Sequence, residues 1–173
     1  MSAGMTNNMS PMTVVNAEVV LQVADDGQHR APEEASFTDW VLAVAEHCER
    51  DLEVTVRIVT AEESRQLNRD YRGKDAPTNV LSFPFEAPPG LDLASAFIGD
   101  LALCAEVIHR EAAQQDKPVT NHWAHMTIHG TLHLLGYDHQ TDDEADIMEA
   151  LETTLLGQHD IPDPYAIPGD AEH

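Results

Sequence analysis

Apolar and polar positions alternate with two different periods along this chain, and the switches between them lay out its elements. From Thr13 to Val23 the residues are rich in valine and stop at Asp25-Asp26-Gly27, which predicts a strand closed by a turn. After Pro32, residues Phe37, Trp40, Val41, Val44 and Ala45 recur at helical spacing and predict an amphipathic helix over 33–49. LEVTVRIVT, residues 52–60, alternates cleanly and predicts a second strand. Thr60 with Glu63 is a capping-box pattern that opens a short helix to about Tyr71. The polar loop YRGKDAPTN then feeds VLSFPFE, a strand whose Pro84 calls for a sheet edge or a bulge. Residues 87–95, with Pro88-Pro89-Gly90, predict a surface loop, and FIGDLALC predicts a strand in which Gly99 marks a bulge or a close backbone approach. Helices follow over 104–116, over 119–135 and from about Thr141 to Leu156, with Lys117-Pro118 breaking the first from the second. Strands mixed with two helices, then three helices in a row, predict an α+β fold. It is a single domain with a small mixed β-sheet of about four strands packed with helices. Residues 1–11 read as a disordered tail, 12–158 as the domain and 159–173 as a flexible C-terminal tail.

The helix over 119–135 breaks the amphipathic rule. On a helical projection His122, His125, His129 and His133 fall within an arc of roughly 80°, and most of the remaining circumference is apolar. A helix apolar almost all round is buried, and a buried imidazole needs a hydrogen-bonding or metal partner. His129 and His133, at i and i+4, can aim two rings at one ion. Gly136 permits a left-handed turn that returns the chain and delivers His139. Three imidazoles with an open fourth position form a catalytic zinc pattern, which implies one Zn²⁺ per chain or another divalent transition metal. The ordinary alternative is a set of core or surface histidines at helical spacing. His125 reads as a core histidine, ahead of a hydrogen-bond partner to a ligand, and His122 as partly exposed. Asp138 reads either as an acceptor orienting a ring or as part of the next helix N-terminus. The pattern resembles the zincin protease signature His-Glu-x-x-His, hence a zincin-like metal helix. Gly130, however, stands where that signature has its general-base glutamate, which removes the proton acceptor for peptide hydrolysis.

Charge then narrows the substrate. Thirty-one acidic against nine basic residues give a net −22 and a pI near 4.4, a surface that repels nucleic acid unless positive charge gathers locally. Arg57, Arg65, Arg69, Arg72 and Lys74 gather five of the nine within residues 57–74, while much acidity lies in DDEADIMEALE, residues 142–152, and in the C-terminal tail. Gly73 permits a turn that lets Arg72 project into a cleft, where a guanidinium matches phosphate oxygens. A solvated loop paired to nearby acids is the equal alternative. No apolar run approaches the roughly 18 residues of a membrane span, and the N-terminus lacks secretory-signal features. These features predict a soluble, cytoplasmic protein with no membrane partner. Cys48 and Cys104 have no zinc-pair spacing and read as small hydrophobes kept reduced.

YRGKDAPTNVLSFPFE, IGDLALC and HWAHMTIHGTLHLLGYDHQTDDEADIMEALE together resemble the YbeY family of bacterial rRNA-maturation endoribonucleases, over roughly Leu52 to Tyr165. The resemblance implies a metal-dependent, single-strand-specific endoribonuclease. Such an enzyme acts in 3′ end maturation of small-subunit rRNA and in ribosome quality control. It puts the family's metal-binding histidines on His129, His133 and His139 and its functional arginine on Arg72. Arg69, Arg72 and Lys74 are the expected RNA contacts, with rRNA of the small subunit as substrate and ribosomal proteins or a ribosome-associated GTPase as candidate partners. Two rival readings are a metal-dependent hydrolase of a smaller substrate and a ribosome-assembly factor whose metal is mainly structural. Whether the nucleophile is water or the RNA 2′-hydroxyl stays open at this level.

Overall fold

The computed structural model describes residues 14–24, 29–86 and 96–165; the expected tail over 1–11, the 87–95 loop and the end of the C-terminal tail lie outside them. The described elements are β1 (Ala17–Val23), α1 (Glu34–Cys48), β2 (Leu52–Val59), α2 (Ala61–Arg72), β3 (Val80–Pro84), β4 (Phe97–Cys104), α3 (Ala105–Gln114), α4 (Val119–Leu134) and α5 (Asp142–Gly157). The four strands form one mixed sheet in the order β1-β2-β4-β3. β2 lies parallel to β1 and to β4, and β3 runs antiparallel to β4 at the edge, where Pro84 withholds no needed donor. The fold is α+β, as the element pattern implies.

The alternation in β2 sorts the two faces. Leu52, Val54, Val56 and Ile58 are buried on one side, where α1 and α4 cover the sheet. Phe37, Trp40, Val41 and Val44 of α1 meet Trp123, Ile128 and Leu132 of α4 in that core. Fully burying each such side chain contributes about 1.5–3 kcal/mol. The opposite face is thinner: Val59, Leu81, Ala102 and Cys104 pack with Val107 of α3 and Leu67 of α2. Helix α4 therefore sits centrally, between the sheet and α1, α3 and α5.

Gly99 serves both roles the sequence allows. The β2–β4 register shifts by one residue between Glu53 and Val54, so a bulge stands opposite that step. A Cβ at Gly99 would collide with the Phe83 carbonyl and the Leu134 side chain, at a φ of 144°. We predict that Gly99→Ala destabilises the fold by about 2 kcal/mol or more, because strained backbone and overpacking add at one site. Thermal or urea unfolding measures it, and an unchanged midpoint would refute this account of the bulge.

Candidate metal centre

Helix α4 carries the site because of what its burial leaves over. From His122 to Leu134 every residue is buried except His129 and His133. Those two line a cleft of about 600 Å³ together with His139, Arg72, Tyr71, Asn79 and Ser82. The helix ends where the glycine requires it. Gly136 takes a φ of 100°, its N–H donates to the His133 carbonyl, and the Tyr137 N–H donates to the Leu132 carbonyl at 3.1 Å. This paired arrangement closes the last turn and turns the chain back. His139 then faces the two helical rings, with ring centroids 5.8 Å from His129 and 5.0 Å from His133. Asp138 accepts the His139 backbone N–H at 2.7 Å, so it shapes this turn, while Thr141 and Glu144 cap α5 in a reciprocal box.

Ligand nitrogens of His129, His133 and His139 lie within 4.8 Å of one another, a set that could hold a metal ion. The donor chemistry fits. His129 Nδ1 is hydrogen-bonded to the Glu152 carboxylate, which fixes the ring proton on Nδ1 and leaves a lone pair on Nε2. That Nε2 stands 3.1 Å from Nε2 of His133. Burial pushes His133 below its ordinary pKa, and the neighbouring rings of His129 and His139 push it further, which favours the neutral ring that a metal ligand requires.

Sequence reasoning misses Glu152. The residue belongs to the acidic run 142–152, which reads as surface charge, yet its side chain is fully buried. Burial alone would raise its pKa. Hydrogen bonds from His125, His129 and Tyr165, with the electrostatic pull of the His129 ring, overcome this and bring it to about 2, so the group is a carboxylate near pH 7. A signal exists: Met148, Glu152, Leu155 and Leu156 share one buried face of α5, so Glu152 interrupts an apolar stripe. His125 is correspondingly more than a core histidine. Its Nε2 lies 3.1 Å from the Tyr165 hydroxyl and 3.4 Å from Glu152. His122, expected to be partly exposed, is 2% exposed and donates to Glu111 at 2.8 Å. Burial opposes ionisation of Glu111, but the bonds from His122 and Asn79 prevail and hold its pKa below the usual range.

The basic stretch is less positive in space than in sequence. Arg57 pairs with Glu63, Arg65 with Glu62 and Asp75, and Arg69 with Asp70. Glu63 thus supplies only its N–H to the Thr60 cap, its carboxylate being committed to Arg57. Arg72 and Lys74 make no ion pair among the described residues. Of the three expected RNA contacts, Arg72 alone lines the cleft. The loop behind Arg72 is tied down. Asn68 donates to the Ala76 carbonyl at 2.8 Å, and Ser64 exchanges hydrogen bonds with the Thr78 backbone. Gly130 adds a steric fact, since a Cβ there would stand 2.8 Å from Leu101 and 3.0 Å from Val80. A side chain at that position would start inside the sheet packing.

The sequence matches the family model described as Endoribonuclease YbeY over residues 22–160. A relative from Chromohalobacter salexigens, described as Endoribonuclease YbeY, is 58% identical over 154 residues, which is 88% of this chain and 97% of the relative. The solution structure of a Thermotoga maritima protein shares the fold at a TM-score of 0.52 and 22% identity, covering 87% of this chain and 98% of that one.

Proposed function

The chain belongs to the YbeY endoribonuclease family, and from that premise we propose a zinc-dependent, single-strand-specific endoribonuclease that matures the 3′ end of small-subunit rRNA and serves ribosome quality control. One observation carries the reading. Three imidazoles with converging nitrogens share a cleft with an arginine that makes no ion pair among the described residues. His129, His133 and His139 would hold the metal, and three ligands leave a position for substrate or water. A zinc ion there supplies Lewis acidity toward a phosphoryl oxygen and activates water.

The remaining steps belong to the chain itself. Arg72 offers parallel donors to the non-bridging oxygens of the scissile phosphate and keeps its charge at any working pH. Its place at the last turn of α2, held by the Ser64 and Asn68 bonds, pre-organises that contact. A cleft of about 600 Å³ has room for a single nucleotide. Arg69 and Lys74, both exposed, can meet phosphates further along the strand. No carboxylate stands at Gly130, so peptide hydrolysis is disfavoured. The described residues contain no helix long and apolar enough to cross a membrane. A cytoplasmic site of action, on rRNA and beside ribosomal proteins or a ribosome-associated GTPase, fits the family reading.

The test joins metal analysis to cleavage. Purified protein should carry about one zinc per chain and cut single-stranded RNA in preference to duplex RNA. A strong chelator should abolish cutting, and added zinc should restore it. Cleavage that survives complete metal removal would overturn the proposal.

A further inference from the structure

The proposed metal ligands are supported by a polar chain that runs from the buried Glu152 and His125 to the part-exposed Tyr165 of the C-terminal segment. Glu152 uses Oε2 for His129 Nδ1 and Oε1 for the Tyr165 hydroxyl, with His125 Nε2 against the same pair. The carboxylate is fully buried, and no lysine or arginine pairs with it among the described residues, so these hydrogen-bond donors are what stabilise its charge. Tyr165 reaches it because the chain beyond α5 folds back. Ile161 packs on the core, and Asp163 accepts from Thr153 at 3.2 Å and from the Tyr165 N–H at 2.8 Å. Tyr165 also lies past residue 160, where the match to the family model stops.

We propose that Glu152 and Tyr165 are positioning residues for the metal centre, Tyr165 anchoring the Glu152 carboxylate that orients His129. The Tyr165 hydroxyl fixes one carboxylate oxygen, which leaves the other aimed at His129 Nδ1. The His129 ring is thereby held in one tautomer and one orientation, with Nε2 toward His133. The segment over 159–165 is accordingly part of the site. Its last residue acts two hydrogen bonds away from the proposed metal.

This inference rests on the assignment of His129, His133 and His139 as ligands, and its test separates the two. Zinc affinity of the full-length protein is measured by competition with a chromophoric chelator for the wild type, Glu152→Gln, Tyr165→Phe and His133→Ala. The His129 imidazole N–H resonance of the zinc-loaded protein is followed by NMR. Glu152→Gln should weaken zinc about 10- to 100-fold, the range for loss of a carboxylate behind a ligating histidine. Tyr165→Phe removes only a hydroxyl, so a smaller loss of about 3- to 10-fold is expected, with a shifted or broadened His129 N–H signal. Unchanged affinity and an unchanged N–H signal in Tyr165→Phe would overturn the inference, even if Glu152→Gln fails to fold. A wild type that binds no tighter than His133→Ala would instead overturn the ligand assignment.

Discussion

His133→Ala should yield a folded protein that has lost its zinc and, with it, RNA cleavage. His133 is half-buried at the cleft and anchors no buried charge, so its removal costs the fold little. Loss of a direct ligand should exceed the roughly 100-fold upper range seen when only a ligand's supporting partner is removed. His139→Ala should behave alike, since His139 is exposed. His129→Ala is expected to differ in one respect. It takes away a donor from the buried Glu152 carboxylate as well as a metal ligand, so the metal-free protein should lose about 1–3 kcal/mol of stability. Zinc stoichiometry, cleavage of single-stranded RNA and urea unfolding of the metal-free variants give the comparison. Equal stability of the three variants would contradict the described link between His129 and Glu152, and retained cleavage in any of them would contradict a metal mechanism.

Arg72→Ala carries the second large effect and divides substrate from metal. Removing a donor that stabilises developing charge costs about 10²- to 10³-fold in rate. Because Arg72 is exposed and makes no ion pair among the described residues, stability should stay within about 0.5 kcal/mol. Zinc content should be unchanged. Arg72→Lys should recover little, since an ammonium cannot supply two parallel donors to one phosphate. Single-turnover cleavage with matched zinc content measures this, and a rate within a factor of about two of wild type would remove Arg72 from the chemistry. Arg69→Ala provides the contrast. Its guanidinium is paired to Asp70 and lies outside the cleft lining, so a modest weakening of RNA binding is all that is expected.

Much of this site is legible in the amino-acid sequence. The i, i+4 histidines, the glycine three residues on and the third histidine describe a local geometry that helix pitch and a left-handed turn enforce. Gly99 and Pro84 are likewise readable, because their backbone chemistry admits few settings. Other features escape a linear reading for one shared reason. Glu152 looks like surface acidity, and Arg57, Arg65 and Arg69 look like a gathered positive patch. In both cases the sequence counts charges but does not say which of them meet.

The order of elements, the α+β layering, the histidine stripe and the turn that returns His139 all follow from the linear chain. Period and stereochemistry act over a few residues, so they need no knowledge of distant neighbours. The folded arrangement was needed to put Glu152 beneath His129, 23 residues away, and to bring Tyr165 to His125 across 40. Folding likewise opens Arg72 onto the cleft while nearby carboxylates pair with Arg57, Arg65 and Arg69. Burial sets the stability and ionisation of a charge, and burial arises only when the helices close on the sheet.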